Sequence, residues 1–260
     1  MRLRGLFMIA SMTAGTLTMN GADLAPLRAD CTMSASEDSG KFRLEIEKGD
    51  CADGHHCHSN FSTESISRFS GITLADLGRD GAKLTATLNA DAGTFTCSGT
   101  VRNEALEGTS VFTPSEAFVG KMDGMGYSGL DSEKLMAYAL LGVDSQWVET
   151  MKRTGVRGIT IDNLIALHIF KVDPEYIHDI TSMGYEMPDA DKLVGLKVQG
   201  VNAEEVRQIR AMGFKPTLDE LIQIRIFHIT PEFVKRMQER GLTNLTISKL
   251  VQIKIFKLDE

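Results

Sequence analysis

Residues 230–256, TPEFVKRMQERGLTNLTISKLVQIKIF, decide the fold. Thr230-Pro231-Glu232 supplies a helix N-cap, a proline at the first helical position and an acid in the first turn. Phe233, Val234 and Met237 then share one helical face, and Gly241 stands where a helix needs a left-handed cap. A second apolar stretch, LVQIKIF, closes the unit. Alternation alone would allow a strand there. In the preceding copy, Thr217-Leu218-Asp219-Glu220 has the form of a capping box, which favours a helix with a broad apolar arc.

The same sentence recurs upstream. Glycines at 126, 155, 184, 213 and 241 are spaced 29, 29, 29 and 28 residues apart, and leucines at 135, 164, 193, 221 and 250 keep the register. Two such series predict five helix-hairpin units of 28–29 residues over 114–260, stacked like an α-solenoid, each unit burying its apolar face against its neighbours. Phe118, Trp147, Tyr176 and Phe233 hold one position in this register and are expected in the inter-unit core. Glu205 takes the place of the aromatic in the fourth unit, and the sequence leaves open whether that marks a gap, a bend or a partner contact.

Upstream of Pro114 the period shortens to two. FRLEIE (42–47), KLTATLN (83–89), TFTCSGTV (94–101) and a segment around Thr109–Phe112 read as strands, with ADAG (90–93) as a hairpin turn. Residues 41–113 therefore read as a small antiparallel β module, which makes the chain α+β. Residues 23–40 are expected to be a linker. Residues 1–22 join Arg2 and Arg4 to an apolar run from Leu6 to Met19, a signal-peptide pattern, with an uncleaved anchor as the alternative. A net charge of −7 argues against a nucleic-acid binder, which needs a basic stripe to displace counterions. A periplasmic or secreted setting is the expectation, with no stable membrane span once the signal is removed.

Cys31, Cys51, Cys57 and Cys97 all precede the helical units, and in an oxidising compartment they are disulfide candidates with three connectivities. Cys51, His55, His56, Cys57 and His58 crowd into CADGHHCHSN (51–60). This composition allows zinc or copper held by His55, His56, Cys57 and His58, although the spacing is not that of a zinc finger, and a Cys51–Cys57 disulfide loop explains it as well. No cofactor is otherwise expected. There is no G-x-S-x-G elbow, no H-E-x-x-H helix, no P-loop and no G-x-G-x-x-G, so no catalytic residue is assigned.

Basic residues of the second helices are followed seven positions later by a glutamate: His168 and Glu175, Lys197 and Glu204, Arg225 and Glu232. In the first unit Ala139 and Gln146 stand at these positions, so cation and acid are absent together. The series predicts charge pairs bridging consecutive units; two solvated charges carried along by duplication are the alternative.

The units ITPEFVKRMQERG with LVQIKIF, VDPEYIHDITSMGY with LVGLKVQGV, and VNAEEVRQIRAMGF with LIQIRIF resemble repeats in the extracytoplasmic regions of bacterial membrane metallopeptidases of the beta-lactam-sensor type. DAGTFTCSGTV…VFTPSEAFVGKM resembles the β segment that leads into them. The resemblance covers about residues 41–260, while the peptidase's membrane helices and H-E-x-x-H zinc site are missing. Proteolytic activity is therefore not carried over, and the resemblance implies an exported accessory or sensor-like module whose biochemical role it does not assign. The expected function is non-enzymatic binding of a protein or peptide partner in the cell envelope through the helical units. The alternatives are a metal-binding protein using residues 51–58, and an enzyme whose site the sequence does not display.

Overall fold

The computed structural model describes residues 24–48 and 58–258. Seven antiparallel strands form one sheet: β1 Leu27–Ala35, β2 Lys41–Lys48, β3 His58–Ser65, β4 Phe69–Ser70, β5 Lys83–Ala90, β6 Gly93–Arg102 and β7 Ala105–Pro114. Their order is β3-β2-β1-β7-β6-β5-β4, with a short helix, α1 (Leu74–Leu77), between β4 and β5. The strand runs expected from alternation are all present, and Ala90 pairs with Gly93 across the Asp91-Ala92 turn. Asn103 and Glu104, both at positive φ, close the β6–β7 hairpin, the geometry of a two-residue type I′ turn.

The expected linker is corrected. Residues 27–35 form β1, which pairs with β2 on one side and β7 on the other. Cys31 and Met33 point into the core. Flanked on both edges, β1 draws its stability from two ladders and does not depend on its modest strand propensity.

Gly99 and Gly108 face each other in the β6–β7 register. A Cβ on Gly99 would lie 2.0 Å from the Glu107 carbonyl oxygen, and one on Gly108 would lie 2.0 Å from that of Ser98. Only glycine permits so close an approach. Cys31 lies opposite this same Gly108, and it forms a disulfide with Cys97 of β6 across β7, with the two Cα atoms 6.2 Å apart.

Among the described residues ten helices follow the sheet: α2 Glu116–Gly124, α3 Ser132–Leu141, α4 Ser145–Arg153, α5 Asn163–Ile169, α6 Pro174–Ser182, α7 Ala190–Val198, α8 Ala203–Ala211, α9 Leu218–Ile226, α10 Pro231–Glu239 and α11 Ile247–Ile255. The second stretch of each unit is thus helical. Thr230 and Asp173 cap as expected, and the Thr217–Glu220 capping box is formed. Gly126, Gly155, Gly184, Gly213 and Gly241 all have positive φ. Helices α3, α5, α7, α9 and α11 pack in succession, and α3 also lies on β5, β6 and β7.

The boundary at residue 113 does not divide the core. One apolar cluster joins Phe42, Phe95 and Phe112 of the sheet to Phe118, Met122, Leu135, Tyr138 and Leu164 of the helices; a second runs from Met151 to Val251. Trp147 and Ile159 pack against both clusters. A fragment ending at Thr113 would leave the sheet's apolar side bare. It is expected to lack a cooperative unfolding transition by circular dichroism, whereas one ending after Val172 is expected to keep it.

Polar contacts tie the same junction. Arg68, in the turn between β3 and β4, pairs with buried Glu64 and donates to the carbonyls of Leu140 and, at 2.6 Å, Ala139 at the end of α3. Asp91 in the β5–β6 turn accepts from the Ser145 backbone N–H at 2.9 Å and from Lys121 at 3.1 Å. Burial pushes the Glu64 carboxyl above its ordinary 4.5, with Arg68 opposing but not cancelling the shift. A carboxyl held above its unfolded value adds stability that is complete below 4.5 and fades as pH rises through the folded value. Glu64→Gln is therefore expected to flatten that fall, read as urea midpoints measured from pH 4.5 upward.

Candidate functional site

None of the three expected charge pairs is formed. Glu175, Glu204 and Glu232 are exposed in the first turns of α6, α8 and α10, and Glu204 pairs with Arg207 of its own helix at 2.6 Å. The cations turn back onto the first helix of their own unit. His168 stands edge-on to Trp147, with ring centroids 4.8 Å apart, and the Lys197 ammonium lies 4.1 Å from the centre of the Tyr176 ring. Lys254 lies 4.2 Å from the Phe233 ring centre. In the fourth unit, where Glu205 replaces the aromatic, Arg225 Nη1 stands 3.5 Å from Glu205 Oε1. An ammonium or guanidinium over a ring face is attracted by its quadrupole, so both partner types serve one cation position.

Arg225 also reaches the preceding unit. Its Nε donates to the Gln199 carbonyl at 2.7 Å, just past the end of α7, where the helix dipole favours a cation. Arg210 on α8 and Lys152 on α4 do the same for the ends of earlier helices, donating to the Met183 carbonyl at 2.7 Å and to that of Met125 at 2.6 Å. Burial, helped by the Arg68 guanidinium, pulls His168 below the ordinary histidine value, so at neutral pH its ring packs as an uncharged one.

A ladder that the sequence reading missed links the N-terminal turns of the second helices. Lys48 of β2 pairs with Glu133, Lys134 with Asp162, and Lys192 with Asp219; Asn163 donates to Asp191 at 3.2 Å. The visible signal was an acid or its partner recurring 28 or 27 residues after a lysine or asparagine, a spacing hidden behind the nearer seven-residue coincidence.

The surface left over is apolar and periodic. Leu140, Ile169, Val198, Ile226 and Ile255, spaced 29, 29, 28 and 29 residues, stand at or next to the last residue of α3, α5, α7, α9 and α11. Leu140 is 9% exposed, with Arg68 bound to its carbonyl, whereas the other four are 49%, 49%, 48% and 52% exposed. Adjacent packed helices lie about 10 Å apart, so these four form a row of about 30 Å. Single exposed apolar side chains are ordinary; a contiguous file of them is the usual mark of a contact surface.

Chemistry is sparse elsewhere. His55, His56, Cys57 and the side chain of His58, with Cys51, lie outside the described residues. Among the described residues no group of three or more His, Cys, Asp or Glu side chains is placed to hold a metal, and no helix is long and apolar enough to cross a membrane. Comparison with protein-family models, with curated proteins and with solved structures finds no match to this chain.

Proposed function

We propose that this protein is a non-enzymatic interaction module of the cell envelope, in which five helix-hairpin units present one face to a protein or peptide partner. The observation that carries the reading is the row Ile169, Val198, Ile226 and Ile255, half exposed at one repeated position. The β-branched side chains of these four residues face solvent, while the leucines at 164, 193 and 250 fill the interior. Aliphatic side chains held out on rigid, capped helices lose little conformational freedom on binding, which favours affinity. The sheet anchors the first units and covers the row's first position. The Cys31–Cys97 disulfide supports an oxidising compartment, as does the resemblance to extracytoplasmic regions of sensor-type metallopeptidases.

The test is the triple variant Val198→Asp, Ile226→Asp, Ile255→Asp in the full chain. Exposed substitutions of this kind shift stability by about 0.5 kcal/mol each. The variant is expected to keep the wild-type circular dichroism and to lose a partner that wild-type protein captures by crosslinking from an envelope fraction. Undiminished capture by the triple variant would refute the reading.

A further inference from the structure

Among the ends of α7 and α9, α8 and the turn before α10, the row opens into a cavity of about 440 Å³, walled by Val198, Ile224, Ile226 and Ile229, with Glu205 and Arg225 at its polar side. A second cavity of about 430 Å³ shares Glu205, Arg225 and Ile229 and adds Glu204 and Glu232. It coincides with the unit that lacks the aromatic. Trp147, Tyr176 and Phe233 hold that position elsewhere, Tyr176 and Phe233 with a lysine ammonium over the ring and Trp147 with the His168 ring edge-on, and a glutamate leaves space in its place. The substitution is chemically expensive: Glu205 Oε2 is buried and has no hydrogen-bond partner. An orphaned buried carboxylate oxygen asks for a donor.

Arg225 does not answer it. Its Nε is engaged by the Gln199 carbonyl, and its Nη1 stands 3.5 Å from the other carboxylate oxygen. Around the pair the acids are Glu204 and Glu232, against the guanidinium of Arg207, which is itself bound to Glu204. Burial also raises the Glu205 carboxyl above its ordinary value, with the Arg225 guanidinium opposing but not cancelling the shift.

We infer that this cavity binds an alkylammonium or alkylguanidinium group, the side chain of a lysine or arginine on the partner that lies along the row. Its charged head pairs with the Glu205 carboxylate, whose side chain is 19% exposed, and its methylene stem lies against Val198, Ile226 and Ile229. Snorkelling of this kind matches an apolar wall to a charged end. The net charge of −7 favours encounter with a basic partner. The inference rests on the row being a partner surface and adds what that partner must carry.

The test uses n-butylguanidinium chloride on the full chain, with neutral n-butylurea as control, followed through backbone amide shifts. Saturable shifts confined to residues 198–232 are expected with n-butylguanidinium and absent with n-butylurea. They are expected to weaken by about tenfold or more in Glu205→Gln, as loss of a charged hydrogen-bond acceptor implies. Glu205→Tyr, which restores the side-chain type of the other units, guards against misfolding and is expected to remain folded while losing the shifts. Equal response to n-butylurea, no localised response, or full retention in Glu205→Gln would overturn the inference. Loss of capture by the row variant alongside no response to n-butylguanidinium would overturn this inference and leave the row standing.

Discussion

Replacing Cys31 and Cys97 together by alanine is expected to lower stability by about 4 kcal/mol, the loop-closure contribution for a crosslink of this reach. The two residues are 66 apart in sequence and fix β1 to β6 across β7. Both are fully buried in the cluster that continues into α2, α3 and α5. The loss is therefore not confined to the sheet. The melting temperature should fall by about 10 °C in one transition seen alike by far-UV and near-UV circular dichroism. A fall of under 2–3 °C, or a sheet that melts separately while the helices stay unchanged, would contradict a core shared across residue 113.

Arg68→Ala is the second large effect, about 3 kcal/mol or more. Deleting one partner of a buried ion pair leaves the other charge uncompensated, and Glu64 is buried beside Arg68. The substitution also strips the last carbonyls of α3 of their donor and uncovers Leu140. Arg68→Lys keeps the charge but cannot serve Glu64 and two carbonyls with one planar fork, so it should fall in between. Combining Arg68→Ala with Glu64→Gln should recover part of the loss, because the buried anion is gone. Urea titration of Arg68→Ala, Arg68→Lys, Glu64→Gln and the double variant beside the wild type reads this directly. Strict additivity of the two substitutions would contradict the pairing.

Much of the architecture was legible because it rests on local rules. Thr230-Pro231-Glu232 and Thr217–Glu220 announce helix starts through caps that any chain must satisfy, and alternation in FRLEIE and KLTATLN announces half-buried strands. β1 was missed although Leu27, Ala29, Cys31, Met33 and Ala35 alternate with polar residues. Alanine and cysteine give weak contrast, and it is pairing from both sides that makes the strand. The continuity of the core was not legible at all, since Phe118 and Leu135 follow the same pattern as their counterparts in the later units and only their position decides that they meet a sheet.

The site was legible in its parts and not in its pairing. Glu205 stood out as the break in an aromatic series, and two cavities of about 440 and 430 Å³ lie beside it. The partner of Arg225 was sought at Glu232, seven residues on, but lies at Glu205, twenty residues back. Helical hairpins bring residues about 20 apart face to face, whereas seven residues across a tight turn place Glu232 in the exposed first turn of α10. The row itself was overlooked because Ile226 and Ile255 read as the end of an apolar arc, and sequence does not say which end of an arc a neighbour covers.

The most direct measurement places a photo-crosslinking residue at one site at a time in the full chain: Val198, Ile226 and Ile255 on the row, and Arg207, Lys235 and Glu239 on the exposed faces of the first helices. Irradiation in an envelope fraction is expected to give the same adduct from all three row positions and none from the other three. An adduct that forms from the first helices but not from the row would contradict a partner surface along the ends of α7, α9 and α11.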